Sequence, residues 1–257
     1  TIGRFSLHLN SWATGSFRLA PAIPELVFVG YGPVDNNTDR HYDLAGTKVN
    51  GLSAISLDLK YGHPIRLTRD SELGVGVTLR FVKGFAMTNL EVTSGTLKVD
   101  RMGTPGVTMA GQYTMVIPES ESEDLSIGDF FNNPPGSGLL FDIGASYSRD
   151  RWRAGVALKN IGAITWKNVE QGTYTYNGEV EVGPEGPELI EDNFTENETV
   201  LSTYRTSLPV VLQAQGSYRF LGPLYCHLGM ETGFSDGWGI SSSPRIWTGL
   251  EWRPRHL

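Results

Sequence analysis

The sequence lacks several features that would assign it to a familiar class of protein. It has one cysteine, Cys226, among 257 residues, so no internal disulfide framework is available. No apolar run approaches the ~18 residues of a membrane-spanning helix. The 28 acidic residues outnumber the 21 basic ones, the net charge is −7, and no basic face suited to nucleic acid is present. Disulfide scaffolds, helical membrane proteins and nucleic-acid binders are therefore not expected.

Motifs for catalysis and cofactor binding are also missing. Ser53 lacks the second glycine of a nucleophile elbow. The Gly74-Val-Gly76 stretch has neither the third glycine nor the following helix of a dinucleotide-binding loop. The five histidines show no metal-ligand spacing. We therefore expect neither enzymatic activity nor a cofactor.

One polar loop contains part of a calcium motif. Asp35, Asn37 and Asp39 occupy the first three ligand positions of a calcium loop. Arg40 stands where the turn glycine is expected, and no glutamate closes the loop at Gly46. A calcium site is the alternative here to a solvated polar loop.

The chain is instead rich in alternating hydrophobicity. Every second residue is apolar in Leu139–Tyr147, and the alternation restarts at Trp152 after a turn at Arg149–Arg151. Two such runs around a tight polar turn predict a β-hairpin. Similar runs recur in about ten segments, with one short helical turn at Pro21–Val29 and a β-bulge near Ser94–Gly95. The pattern predicts an all-β, antiparallel, up-and-down fold.

The lengths of the predicted strands and loops favour a transmembrane barrel over a soluble sheet. Strands of roughly 11–16 residues exceed the usual soluble length of ~5–6 residues. When the predicted strands are numbered in order, their connections alternate between two sides. A tight turn at Gly84 and the longest loops then fall on the same side. The shorter connections His63–Glu72, Arg101–Thr104, Arg149–Asp150 and Leu221–Pro223 fall on the other side. Outer-membrane barrels have this asymmetry of loop length.

The apolar face of the strands is predicted to contact lipid through Leu57, Phe81, Phe141, Val156, Leu212 and Leu250. The opposite face has charges of both signs, and opposite charges in a narrow lumen are expected to pair. We predict a lumenal charge network of Asp58, Lys60, Arg80, Asp142, Arg153, Lys159, Arg219, Glu231 and Glu251. The alternative is the solvated face of a soluble sheet.

Two acidic segments, Pro118–Ser137 and Lys167–Thr203, are predicted as outward-facing loops, with a small hairpin at Thr173–Val182 in the second. Together they hold 14 of the 28 acids and 1 of the 21 bases. Such loops suit calcium or a basic protein partner, whereas the alternative is a pair of disordered solubilising loops. The candidate binding residues are Glu119, Glu121, Glu123, Asp124, Glu185, Glu188, Glu191 and Asp192.

The hairpin GLLFDIGASYSRDRWRAGVALKNIGAITW resembles the strand-turn-strand, Asn-Ile-Gly hairpin of FadL/PorV-type outer-membrane proteins. The stretches GLSAISLDLKYGHPI, LGVGVTLRFVKGFA and GLEWRP are similar to that family as well, so the resemblance covers roughly residues 45–253. It implies one barrel domain over residues 1–257 in a bacterial outer membrane. Because members of the family have about fourteen strands, the chain is expected to be incomplete at both ends.

Three functions remain open from the sequence. PorV-type relatives imply a surface scaffold or binding subunit for exported proteins or partner subunits, embedded in the lipid bilayer of the outer membrane. FadL-type relatives imply a passage or carrier for small hydrophobic solutes. The third possibility is a soluble all-β binding protein. The large predicted loops and the charge-filled lumen favour the scaffold.

Overall fold

The computed structural model describes residues 4–30, 39–99, 105–116, 134–183, 186–189 and 194–253. Within these ranges the chain forms twelve strands and one helix. In chain order they are β1 (Phe5–Arg18), α1 (Ala22–Val29), β2 (Arg40–Asp43), β3 (Lys48–Arg66), β4 (Ser71–Val99), β5 (Pro105–Val116), β6 (Gly136–Arg149), β7 (Trp152–Gly183), β8 (Gly186–Leu189), β9 (Phe194–Thr206), β10 (Val211–Leu221), β11 (Leu224–Gly233) and β12 (Arg245–Trp252). No helix in the described ranges is long and apolar enough to span a membrane.

All strand pairings in the described chain are antiparallel, which confirms the all-β prediction. Several strands lie end to end along one longer neighbour. β2 and β3 both pair with β4, β5 and β6 fill the space between β4 and β7, and β9 and β10 follow each other along β7. β11 and then β12 complete the sheet beyond β10. The sheet is therefore an up-and-down arrangement of eight rows.

The two ends of the sheet differ in shape. One end, called the turn end below, contains the short connections 67–70, 150–151 and 222–223. At the other end β4 and β7 continue past the neighbouring rows, and the second half of β4 pairs with β5 while the second half of β7 pairs with β5 and β9. We call this second part, formed by Met87–Val99 of β4, β5, 170–179 of β7 and β9, the extension.

The predicted turn at Gly84 is wrong, because β4 runs unbroken through this position. A local irregularity replaces the turn, since the pairing with β3 shifts register between Ser53 and Ala54. A side chain at Gly84 would collide with the ring of Trp166, and so would one at Gly136. The glycine is thus required by a distant tryptophan rather than by a reversal of the chain. Without this turn, the connection from Val99 to Pro105 joins strand ends that lie away from the turn end, so the predicted side of Arg101–Thr104 is wrong too.

The second acidic segment forms strands rather than the predicted loop. β7 continues to Gly183, β9 begins at Phe194, and the two pair from Ile164 to Tyr176. The alternating threonines and tyrosines of this stretch have high β-propensity, and β5 supplies a second hydrogen-bonding neighbour. The prediction of about ten strands differs from the twelve observed because β2, β8 and most of β9 were not predicted, whereas β4 was divided into two strands at Gly84.

Other local predictions are confirmed. The hairpin of β6 and β7 forms around the turn at Asp150–Arg151, and α1 occupies the segment predicted as a helical turn. The pairing of β4 with β5 shifts register between Val92 and Ser94, close to the predicted bulge.

In the part of the chain that the structure describes, the sheet buries apolar side chains in two clusters. The larger one lies on the face that holds Asp58 and Arg80, called the polar face, beyond these two residues as seen from the turn end. It contains Leu52, Ala54, Val82, Met87, Val116, Leu140, Ile164, Trp166, Val169 and Leu208, with Trp12 and Trp238 packed against it. The smaller cluster joins α1 to the extension through Tyr42, Leu97, Val99, Val107 and Tyr176. The polar face therefore changes from charged to apolar along its length.

The sheet bends so that its last hairpin reaches its first strands. The Thr14 hydroxyl donates to the Trp238 carbonyl at 2.5 Å, and the Trp238 amide donates to Asn50 Oδ1 at 3.0 Å. Arg18 and Asp236 lie 3.8 Å apart in the same region. In the described ranges no ladder of hydrogen bonds joins β1 to β12. The loop between β11 and β12 thus encloses the polar face from one side.

Candidate functional site

A large cleft occupies the polar face near the turn end. Its volume is about 930 Å³, and residues of β1, β3, β4, β6, β7 and β10 line it. Small residues on the three central strands leave the backbone uncovered, namely Gly74, Gly76, Gly144, Gly155 and Ala157. The cleft is therefore large because β4, β6 and β7 have small residues at these positions.

An ion pair crosses the inner end of this cleft. Arg80 of β4 donates to both carboxylate oxygens of Asp142 on β6, at 2.5 Å to Oδ1 and 2.6 Å to Oδ2. Asn160 of β7 completes the group, because its backbone amide donates to Asp142 at 2.9 Å and its side-chain oxygen accepts from Arg80 at 3.1 Å. The two bonds from Arg80 given above come from its Nη2, and Nε donates to Oδ2 at 3.1 Å, so two donors of one guanidinium and a backbone amide fix the position of the carboxylate.

The backbone at Asn160 explains how this residue reaches both partners. Asn160 has a φ of +64°, and the pairing of β6 with β7 shifts register between Phe141 and Ile143. Asparagine tolerates this left-handed conformation better than most residues. At the resulting bulge the Asn160 amide donates to the Asp142 side chain instead of to a backbone carbonyl of β6. Asn160 of the Asn-Ile-Gly sequence is therefore part of the site.

Asp58 is a second carboxylate at the inner end, and it is only 5% exposed. It accepts a hydrogen bond from Asn10 Nδ2 at 2.7 Å and one from the Ser56 hydroxyl at 2.7 Å. It pairs across the strands with Arg80, although the guanidinium is turned toward Asp142. Neutral donors therefore satisfy this buried charge.

Beyond the two carboxylates lies a smaller inner pocket of about 340 Å³. Trp12, Leu208, Trp238 and Ile240 form its apolar wall, and it shares Asp58, Arg80 and Asn160 with the cleft. The indole Nε1 of Trp12 is buried without a hydrogen-bond partner in the described chain. The large apolar cluster that includes Trp166 and Leu140 lies behind this pocket. The cleft is thus closed at its inner end by packed side chains.

The structure brings some of the predicted lumenal charges together and leaves others apart. Arg80 pairs with Asp142, and Glu251 contacts both His227 at 3.0 Å and Arg253 at 2.6 Å. Asp58 is held by neutral partners. Among the described residues, no opposite charge lies within 4 Å of the remaining predicted members, Lys60, Arg153, Lys159, Arg219 and Glu231.

The predicted calcium and partner sites lie mostly outside the described residues. Asp35 and Asn37 fall there, while Asp39 forms a 2.8 Å ion pair with Lys98. Of the acidic-loop candidates, the described ranges include only Glu188, in β8. The others outside these ranges are Glu119, Glu121, Glu123, Asp124, Glu185, Glu191 and Asp192. In the described part of the chain no three metal-ligating side chains form a group.

The extension contains an aromatic and acidic cluster that sequence reasoning missed. Tyr113 of β5 is buried, and its hydrogen bond with Glu196 of β9, together with burial and the nearby Glu198 and Glu170, raises the pKa of its hydroxyl to about 12. Tyr174 stacks on Phe194 with ring centroids 5.8 Å apart. The alternation of Tyr174 with exposed threonines was the available signal, but the acidic composition led to a loop prediction.

Fold and site together define a curved, antiparallel β-sheet protein with a polar cleft that ends at an apolar layer. The chain belongs to a family of unknown function (DUF5723), whose model matches residues 5–248. No curated protein and no solved structure matches the sequence.

Proposed function

We propose that the chain is an outer-membrane β-barrel that acts as a surface scaffold or binding subunit for exported proteins or partner subunits. The face opposite Asp58 and Arg80 supports the membrane part of this proposal, because its large apolar side chains are exposed. Ile143 is 46% exposed and Leu250 is 75% exposed, in company with Leu57, Leu59, Val75, Val77, Phe81, Leu139, Val156, Leu228 and Ile246. An exposed apolar band of this kind is costly in water and favourable in lipid.

The dimensions of the band fit a bilayer. On β4 it runs from Leu73 to Phe81, nine residues, and a tilted membrane strand needs ~9–11. The aromatic pair Trp152 and Tyr218, with ring centroids 4.4 Å apart, lies at the turn end. An aromatic pair at this border of the band matches part of an interfacial girdle. The turn end would then face the periplasm.

The extension is the single observation that supports the scaffold function. Met87–Val99 of β4, 13 residues or roughly 40 Å long, lies beyond the band together with the paired parts of β5, β7 and β9. In this part β5 pairs with β4 and β7, and β7 pairs with β5 and β9, so the extension is a platform of hydrogen-bonded strands rather than a loop. Exposed threonines such as Thr173 and Thr175 alternate with buried tyrosines along β7, so the platform has a continuous polar surface. A partner protein can bind such a surface outside the membrane.

Closure of the cleft by Trp166, Leu140 and their neighbours supports a binding role over an open channel. A conducting barrel needs a continuous polar path, and the apolar cluster interrupts it. We therefore expect reconstituted protein to show no steady conductance in planar bilayers. A stable open-channel current would contradict the closed lumen.

Sidedness is tested with single reporter cysteines in a Cys226→Ser background. Thr175→Cys places a thiol on the extension, and Asp150→Cys places one at the turn end; both positions are exposed. A membrane-impermeant maleimide on intact cells should label the first and should label the second only after the outer membrane is opened. The opposite pattern would reverse the topology, and labelling of both in a fraction that needs no detergent would favour the soluble alternative.

The partner role is tested with a photo-crosslinking residue at Thr175, compared with the same residue at Val77 in the apolar band. The scaffold proposal predicts a defined crosslinked exported protein at Thr175 and only lipid adducts at Val77. Absence of a discrete product at several exposed extension positions would contradict the scaffold.

A carrier for small hydrophobic solutes is the second candidate. The inner pocket favours it, since Trp12, Leu208, Trp238 and Ile240 form an apolar wall along its volume of about 340 Å³. Uptake of an apolar dye into vesicles containing the protein, lost in a Trp238→Ala variant, would favour the carrier. Uptake equal to that of empty vesicles would contradict the carrier and leave the scaffold as the proposed function.

A further inference from the structure

The charges that line the cleft are unbalanced. Four bases, Arg4, Lys60, Arg80 and Lys159, face it, against the two acids Asp58 and Asp142. Asp142 is engaged by Arg80, and Asp58 by neutral donors. A cavity with a surplus of two positive charges attracts and retains anions.

Lys60 and Lys159 are the cleft bases without a partner within the described ranges, because Arg80 binds Asp142 and Arg4 hydrogen-bonds to His63. Lys60 of β3 and Lys159 of β7 are partly buried, and no carboxylate of the described chain lies within 4 Å of either ammonium group. Three strand spacings separate their rows, roughly 14 Å along the sheet, which two long side chains can span together with one ligand. Both groups line the same cavity, so one anion can contact both.

Two glycines of the cleft floor, on the turn-end side of the lysines, are not explained by local packing. A Cβ at Gly76 would meet its nearest atom at 3.5 Å and one at Gly155 at 3.6 Å, both ordinary contacts. Neither residue has a positive φ. Glycine inside a strand weakens it. Since neither backbone conformation nor packing requires these two glycines, their effect is to keep the cleft empty of side chains.

The remaining lining specifies a hydrophilic ligand. Gln213 and Gln215 of β10, Ser146 of β6 and Thr78 of β4 present amide and hydroxyl groups to the cavity. Its volume of about 930 Å³ lies within the ~300–1,000 Å³ of small-molecule sites. We propose that the cleft binds a small hydrophilic organic anion with two or more carboxylate or phosphate groups, held between Lys60 and Lys159. This inference is independent of the scaffold function, because it concerns the cleft and not the extension.

The test is calorimetric titration of the detergent-solubilised full chain at low ionic strength. Citrate is the carboxylate probe, inorganic phosphate is the phosphate probe, and glucose is the neutral control. We expect saturable citrate binding that weakens with added salt, and no saturable binding of glucose. Binding of phosphate but not citrate would show that the ligand of the cleft belongs to the phosphate class rather than the carboxylate class. Absence of binding by both anions, or equal binding of glucose, would overturn the proposal.

Variants locate the site. Lys60→Gln with Lys159→Gln should weaken citrate binding about 100-fold, or tenfold per lysine, because a hydrogen bond to a charged group is lost each time. Arg153→Gln with Arg219→Gln is the matched control, since it removes the same charge from the same face at residues that do not line the cleft. Equal loss in both pairs would show a nonspecific charge effect and contradict the site.

Gly76→Val, checked for unchanged β-sheet circular dichroism, should reduce binding while leaving every charge in place, and full binding by this variant would contradict the cavity.

Discussion

Substitution of Ile143 by arginine tests whether the apolar face contacts lipid. Ile143 lies at the centre of the nine-residue band of β6, between Leu139 and Tyr147, and is 46% exposed. Arginine facing lipid near the midplane costs about 2–4 kcal/mol in a barrel. A surface position in water changes stability by only about 0.5 kcal/mol. The free energy of unfolding therefore distinguishes the two environments at this position.

The measurement is equilibrium unfolding in lipid vesicles, followed by tryptophan fluorescence. With an m-value of ~3 kcal/mol/M, a loss of ~3 kcal/mol lowers the urea midpoint by about 1 M. Ser146→Arg is the matched control, because Ser146 lies three residues further along β6 on the polar face and is exposed there. Equal midpoints for Ile143→Arg and the parent, or an equal loss in Ser146→Arg, would refute the assignment of the two faces.

Three further changes probe the interior and the extension. Trp166→Ala removes a fully buried ring and should lower the free energy of unfolding by about 3–5 kcal/mol, measured by urea titration. Asp142→Asn leaves the guanidinium of Arg80 without its carboxylate and should cost about 3 kcal/mol by the same measurement. Tyr113 should ionise near pH 12 in an absorbance titration, and Glu196→Gln should lower this value toward 10. Because its pKa is raised on folding, Tyr113 contributes stability that is complete below pH ~10 and is lost as the pH rises toward 12.

Each of these changes has a control on an exposed side chain. Phe194→Ala, in the extension, should cost much less than Trp166→Ala, because Phe194 is already partly exposed. Asp150→Asn removes the same charge as Asp142→Asn at an exposed turn and should leave stability within about 0.5 kcal/mol. Glu72→Gln should leave the alkaline titration unchanged, since Glu72 lies at the turn end. If a control matches its test variant, the local explanation fails.

Sequence reasoning identified the two faces of the strands because side-chain alternation follows directly from strand geometry. Asp58, Arg80 and Asp142 were placed on one face by counting alone, and the structure puts them around one cleft. The same counting could not pair Arg80 with Asp142, which are 62 residues apart and meet only through the register of β4 with β6. Side-chain alternation along one strand does not reveal strand order or register, because both depend on which distant segments pair.

The errors have a common physical origin in contacts between distant residues. Gly84 was predicted as a turn because glycine usually marks a chain reversal, yet here it accommodates the ring of Trp166. The acidic stretch after Asn168 was predicted as a loop because dense like charge is usually solvated. Pairing with β5 and β9 outweighs that repulsion, and Tyr113 on β5 forms a side-chain hydrogen bond with one of the acids, Glu196.

Asn160 connects the fold to the site more directly than any other residue of the cleft. Its left-handed backbone creates the bulge in β7, its amide fixes Asp142, and its side chain links Arg80 to the Pro209 carbonyl at 3.3 Å. Arg80 is thereby held at the inner end of the cleft, where it separates the polar cavity from the inner pocket. Because Arg80 is occupied in this way and Arg4 hydrogen-bonds to His63, Lys60 and Lys159 are the cleft cations that have no partner within the described ranges. The bulge in the β6–β7 hairpin therefore removes the charge of Arg80 from those available to the proposed anion.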